Sequence, residues 1–228
     1  MKNLILSALL LSSSVAFAQK EKTLPITYNT QAVFALADDG KTKEGMYAVR
    51  NTKDDGAIVQ GFYKNGERTG TWYFFDNDKK LALRYNYDSK KILYYDKKQL
   101  DNVEVKISSG NDEAKKNASA PLPLCSVDYM ASLVLNKVPQ ILNAPGGEIE
   151  VVIDARVGAD GKAKYTVAYK TDKGDYEKQA IKLDNDSDKF LVSWIPAAYK
   201  GQALDAEFIM VSKYNNDTNS TRRTKWYN

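Results

Sequence analysis

Residues 148–169 read EIEVVIDARVGADGKAKYTVAY, and their patterning sets the expected architecture. Ile149, Val151, Ile153, Ala155 and Val157 alternate with Glu150, Val152, Asp154 and Arg156. Gly158-Ala159-Asp160-Gly161-Lys162 interrupts the pattern, and Ala163, Tyr165, Val167 and Tyr169 resume it. Successive side chains of a strand point to opposite faces, so a period of two reads as two strands with one apolar face each. Asp-Gly supplies the positive-φ residue of a tight turn. The stretch is expected to be a long β-hairpin.

On the amino-terminal side of the hairpin, residues 127–138 carry Tyr129, Met130, Leu133 and Val134 at three- and four-residue spacing, which predicts a helix. Asn143-Ala144-Pro145-Gly146-Gly147 breaks it. On the carboxy-terminal side, Tyr176, Ala180 and Leu183 share one helical face, with Asp175 as N-cap. Pro196 stops any helix there, and Gly201 turns the chain. Leu204, Ala206, Phe208 and Met210 then alternate with Asp205, Glu207 and Ile209 in a last strand. The expected order is helix, strand, strand, helix, strand.

This order and four short motifs resemble the TonB carboxy-terminal domain family. The motifs are Val157-Gly158-Ala159-Asp160-Gly161-Lys162, Glu177-Lys178-Gln179-Ala180-Ile181, Trp194-Ile195-Pro196-Ala197 and Gly201-Gln202-Ala203-Leu204. The resemblance covers most of residues 125–213. It implies a protein-binding domain whose sheet edge accepts an extended segment of an envelope protein, such as an outer-membrane receptor. The candidate edge is the last strand, with Ala203, Leu204, Asp205, Glu207, Ile209 and Val211. Asp160-Gly161, Trp194 and Pro196 serve turn and packing equally well without any partner.

Farther upstream, residues 108–124 are small, polar and unpatterned, and read as a flexible joint. Before it lie short aromatic segments cut by glycine, at 44–50, 61–66, 70–76, 81–87 and 92–96. Asp55-Gly56 and Asn65-Gly66 are hairpin signals. Gly45-Met46-Tyr47 recurs as Gly70-Thr71-Trp72, about 25 positions later, which suggests repeated hairpins. The run GFYKNGERTGTWYFFDNDKKL at 61–81 resembles the variant MORN repeat. Gly61, Tyr63, Asn65, Gly66, Gly70, Trp72, Phe75 and Leu81 match, whereas Lys79-Lys80 replaces the usual glycine. Such repeats imply a meander of hairpins and a contact surface. Period-two patterning puts Trp72 and Phe74 in a core and Tyr73 and Phe75 on the opposite face, a possible aromatic surface.

The expected fold class is thus α+β: an amino-terminal antiparallel β-hairpin module (19–107), a linker (108–124), an α-β-β-α-β domain (125–213) and a polar tail (214–228). The amino terminus has Lys2, an apolar run at 4–11 and Ala16-Phe17-Ala18. It reads as a signal peptide of residues 1–18, cleaved after Ala18. Cleavage predicts export to the periplasm or beyond, without stable membrane insertion. A retained anchor would instead suit a TonB-type energy transducer.

Composition removes several classes of chemistry. Hydrophobic residues at 43% and charged residues at 27% suit a globular chain of 228 residues. There is no histidine, and Cys125 is the lone cysteine. That rules out a Ser-His-Asp triad, a Cys-His pair, an internal disulfide and any histidine zinc site within this chain. The net charge of +4 is dispersed, so no nucleic-acid partner is expected. No cofactor, metal or catalytic residue is expected either. Asp184-Asn185-Asp186-Ser187-Asp188 resembles the start of a calcium loop, but Lys189 and Ile195 occupy positions where that loop needs glycine and glutamate. Cys125 is either a small buried side chain or a thiol that pairs with another molecule.

Overall fold

The computed structural model describes residues 20–142, 147–170, 176–183, 190 and 192–224. The expected signal peptide, Asp172–Asp175 and the expected calcium-like loop at 184–188 lie outside the described residues. Of the described residues, 56% are in strands and 12% in helices. The expected α+β class is therefore corrected to a β-rich fold built of antiparallel sheets.

Seven strands form the first sheet in chain order: β1 (Lys20–Thr27), β2 (Thr30–Leu36), β3 (Lys43–Asn51), β4 (Ala57–Lys64), β5 (Glu67–Phe75), β6 (Leu81–Asn86) and β7 (Lys91–Tyr95). Each pairs antiparallel with the next, so the module is a meander of hairpins. Asn65 (φ 51°) and Gly66 (φ 81°) both take positive φ in the two-residue turn between β4 and β5. A type I′ hairpin demands that pair, and it matches the twist of the flanking strands.

One face of this sheet is fully buried. Phe34, Tyr47, Val49, Val59, Trp72, Phe74 and Leu83 are all at most 1% exposed. Trp72 lies flat over Gly61: a Cβ added there would sit 2.2 Å from the indole ring. The Trp72 Nε1 donates to the carbonyls of Phe62 (3.3 Å) and Thr69 (3.1 Å), beside a bulge in the β4–β5 ladder. Arg68 reaches under the same ring and donates to the hydroxyls of Tyr63 (3.3 Å) and Tyr87 (2.7 Å). The aromatic-glycine spacing of residues 61–74 is thus packing chemistry.

The chain then makes a short 3-10 turn (Lys97–Leu100), β8 (Val103–Ile107), α1 (Asp112–Asn117), β9 (Leu122–Pro123), α2 (Val127–Leu135) and α3 (Pro139–Leu142). β10 (Glu148–Val157) and β11 (Ala163–Lys170) are the expected hairpin, in register from Val151↔Tyr169 to Val157↔Ala163. β12 (Tyr176–Ile181) follows, then the short strands β13 (Trp194–Ile195), β14 (Ala197–Tyr199) and β15 (Gln202–Leu204). β16 (Ala206–Asn215) and β17 (Ser220–Thr224) close the described chain. The second sheet runs β12-β11-β10-β16-β17, with β8 also on β16.

Three further expectations are corrected. Residues 176–183, expected as a helix, contain β12 instead, paired with β11 from Tyr165↔Ile181 to Lys170↔Tyr176. A partner strand outweighs the high intrinsic helix propensity of Glu177-Lys178-Gln179-Ala180, which amounts to only tenths of a kcal/mol per residue. The α-β-β-α-β order is therefore not adopted. The expected flexible joint contains α1, and Ala114 packs with Ala197, Leu204 and Ala206 in a satellite core. The Ser119 amide donates to the Ala198 carbonyl at 2.9 Å. Finally, the tail contains β17, which pairs with β16 from Val211↔Thr224 to Asn215↔Ser220.

α2 lies between the two sheets. Ser126 caps it by accepting from the Tyr129 amide, and Asp128 sits in its first turn. Seven of its nine residues are buried. They join Phe34, Trp72 and Phe74 of the first sheet to Ile153, Phe208 and Met210 of the second in one continuous core. At about 1.5–3 kcal/mol for each large buried side chain, this shared core dominates the cohesion of the two sheets.

Candidate interaction surface on the first sheet

Register places Met46, Phe62, Gln60, Tyr73, Arg84 and Tyr94 on one face of the first sheet, opposite the Trp72 face. The pairs Met46↔Phe62, Gln60↔Tyr73, Tyr73↔Arg84 and Arg84↔Tyr94 establish this directly. Met46 is 56% exposed and Phe62 55%. Tyr73 and Tyr94 are exposed as well. Among the described residues, all seven exposed large apolar side chains fall in this module: Tyr28, Met46, Phe62, Tyr73, Ile92, Leu93 and Tyr94. Scattered apolar exposure is ordinary, whereas clustering on one sheet marks an interaction surface. Of the two aromatic residues expected there, Tyr73 is exposed and Phe75 is half-buried beside a bulge.

β7 ends the sheet. Its neighbour on one side is β6, and no strand among the described residues pairs with its other side. Ile92, Leu93 and Tyr94 are exposed on consecutive positions, at 40%, 47% and 41%. A bulge leaves Leu93 without a partner in the β6–β7 ladder: Tyr85 pairs with Ile92 and Arg84 with Tyr94. Four exposed lysines flank the apolar run Ile92–Tyr95, Lys90 and Lys91 before it and Lys97 and Lys98 after it. Asp96 is committed locally, its carboxylate accepting from the Lys98 amide at 3.1 Å.

The edge expected from the sequence does not exist as a free edge. β16 pairs with β10 along its whole length on one side. On the other side β8 covers Ala206–Met210 and β17 covers Val211–Asn215. Glu207, Ile209 and Val211 therefore lie in a central strand, and Val211 is buried. Ala203 and Leu204 pair within the β14–β15 hairpin. Asp205 holds the 158–162 turn, its carboxylate accepting from the Ala159 amide at 2.8 Å. Glu207 pairs with Arg156 at 3.4 Å on the outer face of the sheet.

A cleft of about 460 Å³ runs along the seam between the sheets and is lined by Tyr28, Asn51, Tyr129, Asn136, Tyr214 and Asn219 among others. Its side chains are engaged in stitching. Asn29 Nδ2 donates to the Asn219 carbonyl (2.6 Å), Lys53 Nζ to that of Thr218 (3.1 Å) and Asn77 Nδ2 to that of Thr221 (3.4 Å). These bonds tie turns of the first sheet to the β16–β17 hairpin. The cleft is a structural seam first.

Cys125 is buried at the foot of α2, and desolvation pushes its thiol well above the ordinary range. The thiolate is the reactive form, so burial and protonation both silence it. The native protein should leave Ellman's reagent unconsumed at pH 8 and consume one equivalent after unfolding in guanidinium. Rapid native reaction would contradict the burial.

Ile92, Leu93 and Tyr94 were not singled out from sequence as a surface. A continuous apolar run normally reads as a strand buried on both faces. The clue was the pair of lysine doublets around it. No family model, curated protein or solved structure matches the chain.

Proposed function

We propose that this chain is an exported, non-enzymatic binding or adaptor protein of the bacterial envelope, which engages another envelope protein by adding a visiting strand to an open sheet edge. The observation that carries the reading is the gathering of exposed apolar side chains on the open face and terminal strand of the first sheet. An edge strand offers unpaired amides and carbonyls, and adjacent apolar side chains give a visiting strand something to bury. The covered state of β16 moves this role from the second sheet to the first. The likeness of residues 61–81 to hairpin repeats that serve as contact surfaces agrees with it. The amino-terminal leader supplies the compartment.

A photo-crosslinking residue placed at Tyr73 in the full chain, expressed in its bacterial host, tests the reading. The expected result is a discrete adduct with an envelope protein, with no adduct from a control position at the exposed Lys162. No adduct from Tyr73 above that control would overturn it. Sequencing the secreted chain from its amino terminus should give Gln19 first.

A further inference from the structure

The edges of the two sheets differ in how they are guarded. Long exposed edges invite pairing with other chains, and proteins blunt them with charge, proline, bulges or cover. β1 carries Glu21, Lys22 and Pro25 and a register shift between Pro25 and Thr27. β12 carries Glu177 and Lys178. β8 alternates Glu104 and Lys106, which pair with each other at 3.1 Å. β17 is held against α2 by Arg223, bound to Asp128 at 2.7 Å. β7 differs in its charge pattern: apart from the bulge at Leu93, its run Ile92-Leu93-Tyr94-Tyr95 carries no charge, and its charges stand at the two ends.

None of Lys90, Lys91, Lys97 and Lys98 makes an ion pair among the described residues. A strand of this length spans about 17 Å at roughly 3.3 Å per residue. The edge is therefore an apolar ladder with a cationic doublet at each end. We infer that β7 accepts an extended peptide segment of a partner protein, four or five β-prone residues long and flanked at both ends by acidic residues. Backbone hydrogen bonds to β7 supply the docking. Exposed Tyr94, opposite Arg84 on the open face, and exposed Ile92, opposite Tyr85 on the Trp72 face, offer the visitor an apolar contact on each side of the ladder. The lysine doublets fix its position by pairing with its terminal carboxylates.

The same charges argue against a second copy of this chain as the occupant. Two β7 edges would bring eight lysines together, opposed only by Asp88 and Asp96 of each copy, which already accept backbone hydrogen bonds. The bulge at Leu93 also twists the strand away from the flat geometry that two identical edges need. A short peptide can follow that twist.

This inference rests on the binding reading above, and it can fail separately. The probe is a fluorescein-labelled synthetic peptide, Asp-Glu-Val-Thr-Val-Thr-Val-Glu-Asp, titrated into the full chain and followed by anisotropy. A control peptide carries lysine at the four acidic positions. The acidic peptide is expected to bind, and binding should weaken as NaCl rises from roughly 50 to 500 mM, because the contacts are exposed. The variant Lys90→Glu/Lys91→Glu/Lys97→Glu/Lys98→Glu should bind it at least about tenfold more weakly, as four exposed pairs together warrant. Those side chains are solvent-facing, so the variant should keep its fold, checked by circular dichroism. Amide exchange should slow at 91–95 on binding.

Equal binding of both peptides, or slowed exchange at another strand instead, would overturn the inference. So would a dimer in sedimentation velocity that the four substitutions dissolve, since a second copy would then hold the edge. If Tyr73 still crosslinks to an envelope protein while the acidic peptide leaves β7 unaffected, the binding reading stands and this inference falls. If neither occurs, both fall.

Discussion

Gly61→Ala should destabilise the protein by about 3 kcal/mol or more, at the upper end of what overpacking a core costs. The new methyl would lie 2.2 Å from Cδ2 and Cε2 of Trp72, well inside van der Waals contact. Trp72 has little freedom to retreat: it is fully buried, and its Nε1 is bound to two carbonyls. Gly61 does not need positive φ, so alanine is acceptable to the backbone and the effect isolates the steric term. Trp72→Ala should itself cost about 3–5 kcal/mol by opening a cavity. In the double variant the Gly61 methyl would point into that cavity. Its combined cost should then fall short of the sum by about 2–3 kcal/mol. Urea denaturation followed by circular dichroism measures all three. Strict additivity would show that the contact does not govern the position.

Arg223→Met should cost about 3–5 kcal/mol, the range for stripping one partner from a buried charge pair. Arg223 donates to the Asp128 carboxylate at 2.7 Å and to the carbonyls of Gln99 (2.7 Å) and Asp101 (3.1 Å). Both side chains are only 14% exposed. Removing the guanidinium leaves an unpaired carboxylate on α2 and two carbonyls, Gln99 in the 3-10 turn and Asp101 just after it, without this donor. Arg223→Met combined with Asp128→Leu should recover part of the loss, because an apolar pair no longer carries a stranded charge. The readout is the denaturation midpoint at unchanged slope. A cost under about 1 kcal/mol for the single substitution would place the pair among ordinary surface bridges.

The local parts of this fold were legible because alternation and turn chemistry are local. The β10–β11 hairpin followed from its period of two and Asp160-Gly161. The β4–β5 turn followed from Asn65-Gly66, and the inward Trp72 and outward Tyr73 followed from the pleat. The misread elements depend on distant partners. Tyr176, Ala180 and Leu183 fit a helical face, and only β11 alongside makes 176–181 a strand. Residues 108–124 look unstructured because α1 buries little but Ala114. The last strand looked like an edge because nothing in residues 203–211 announces that β8, about a hundred residues earlier, lies beside it. The candidate surface was half legible. Tyr73 emerged from alternation, whereas the exposure of Ile92, Leu93 and Tyr94 follows from β7 being last in its sheet.

The shared flank of β16 bears on how the chain can be divided. Val103–Ile107 belongs by sequence to the first half and by pairing to the second. A cut anywhere in 108–124 would strand it on the wrong fragment. The carboxy-terminal half alone would then carry a bare backbone edge from Ala206 to Met210, a stretch that contains Phe208 and Met210, beside the part of β16 that β17 still covers. That is the exposed apolar edge that templates aggregation. The two sheets are therefore not interchangeable cassettes: recombination or truncation between them would have to carry residues 103–107 along with the second sheet to yield a soluble product.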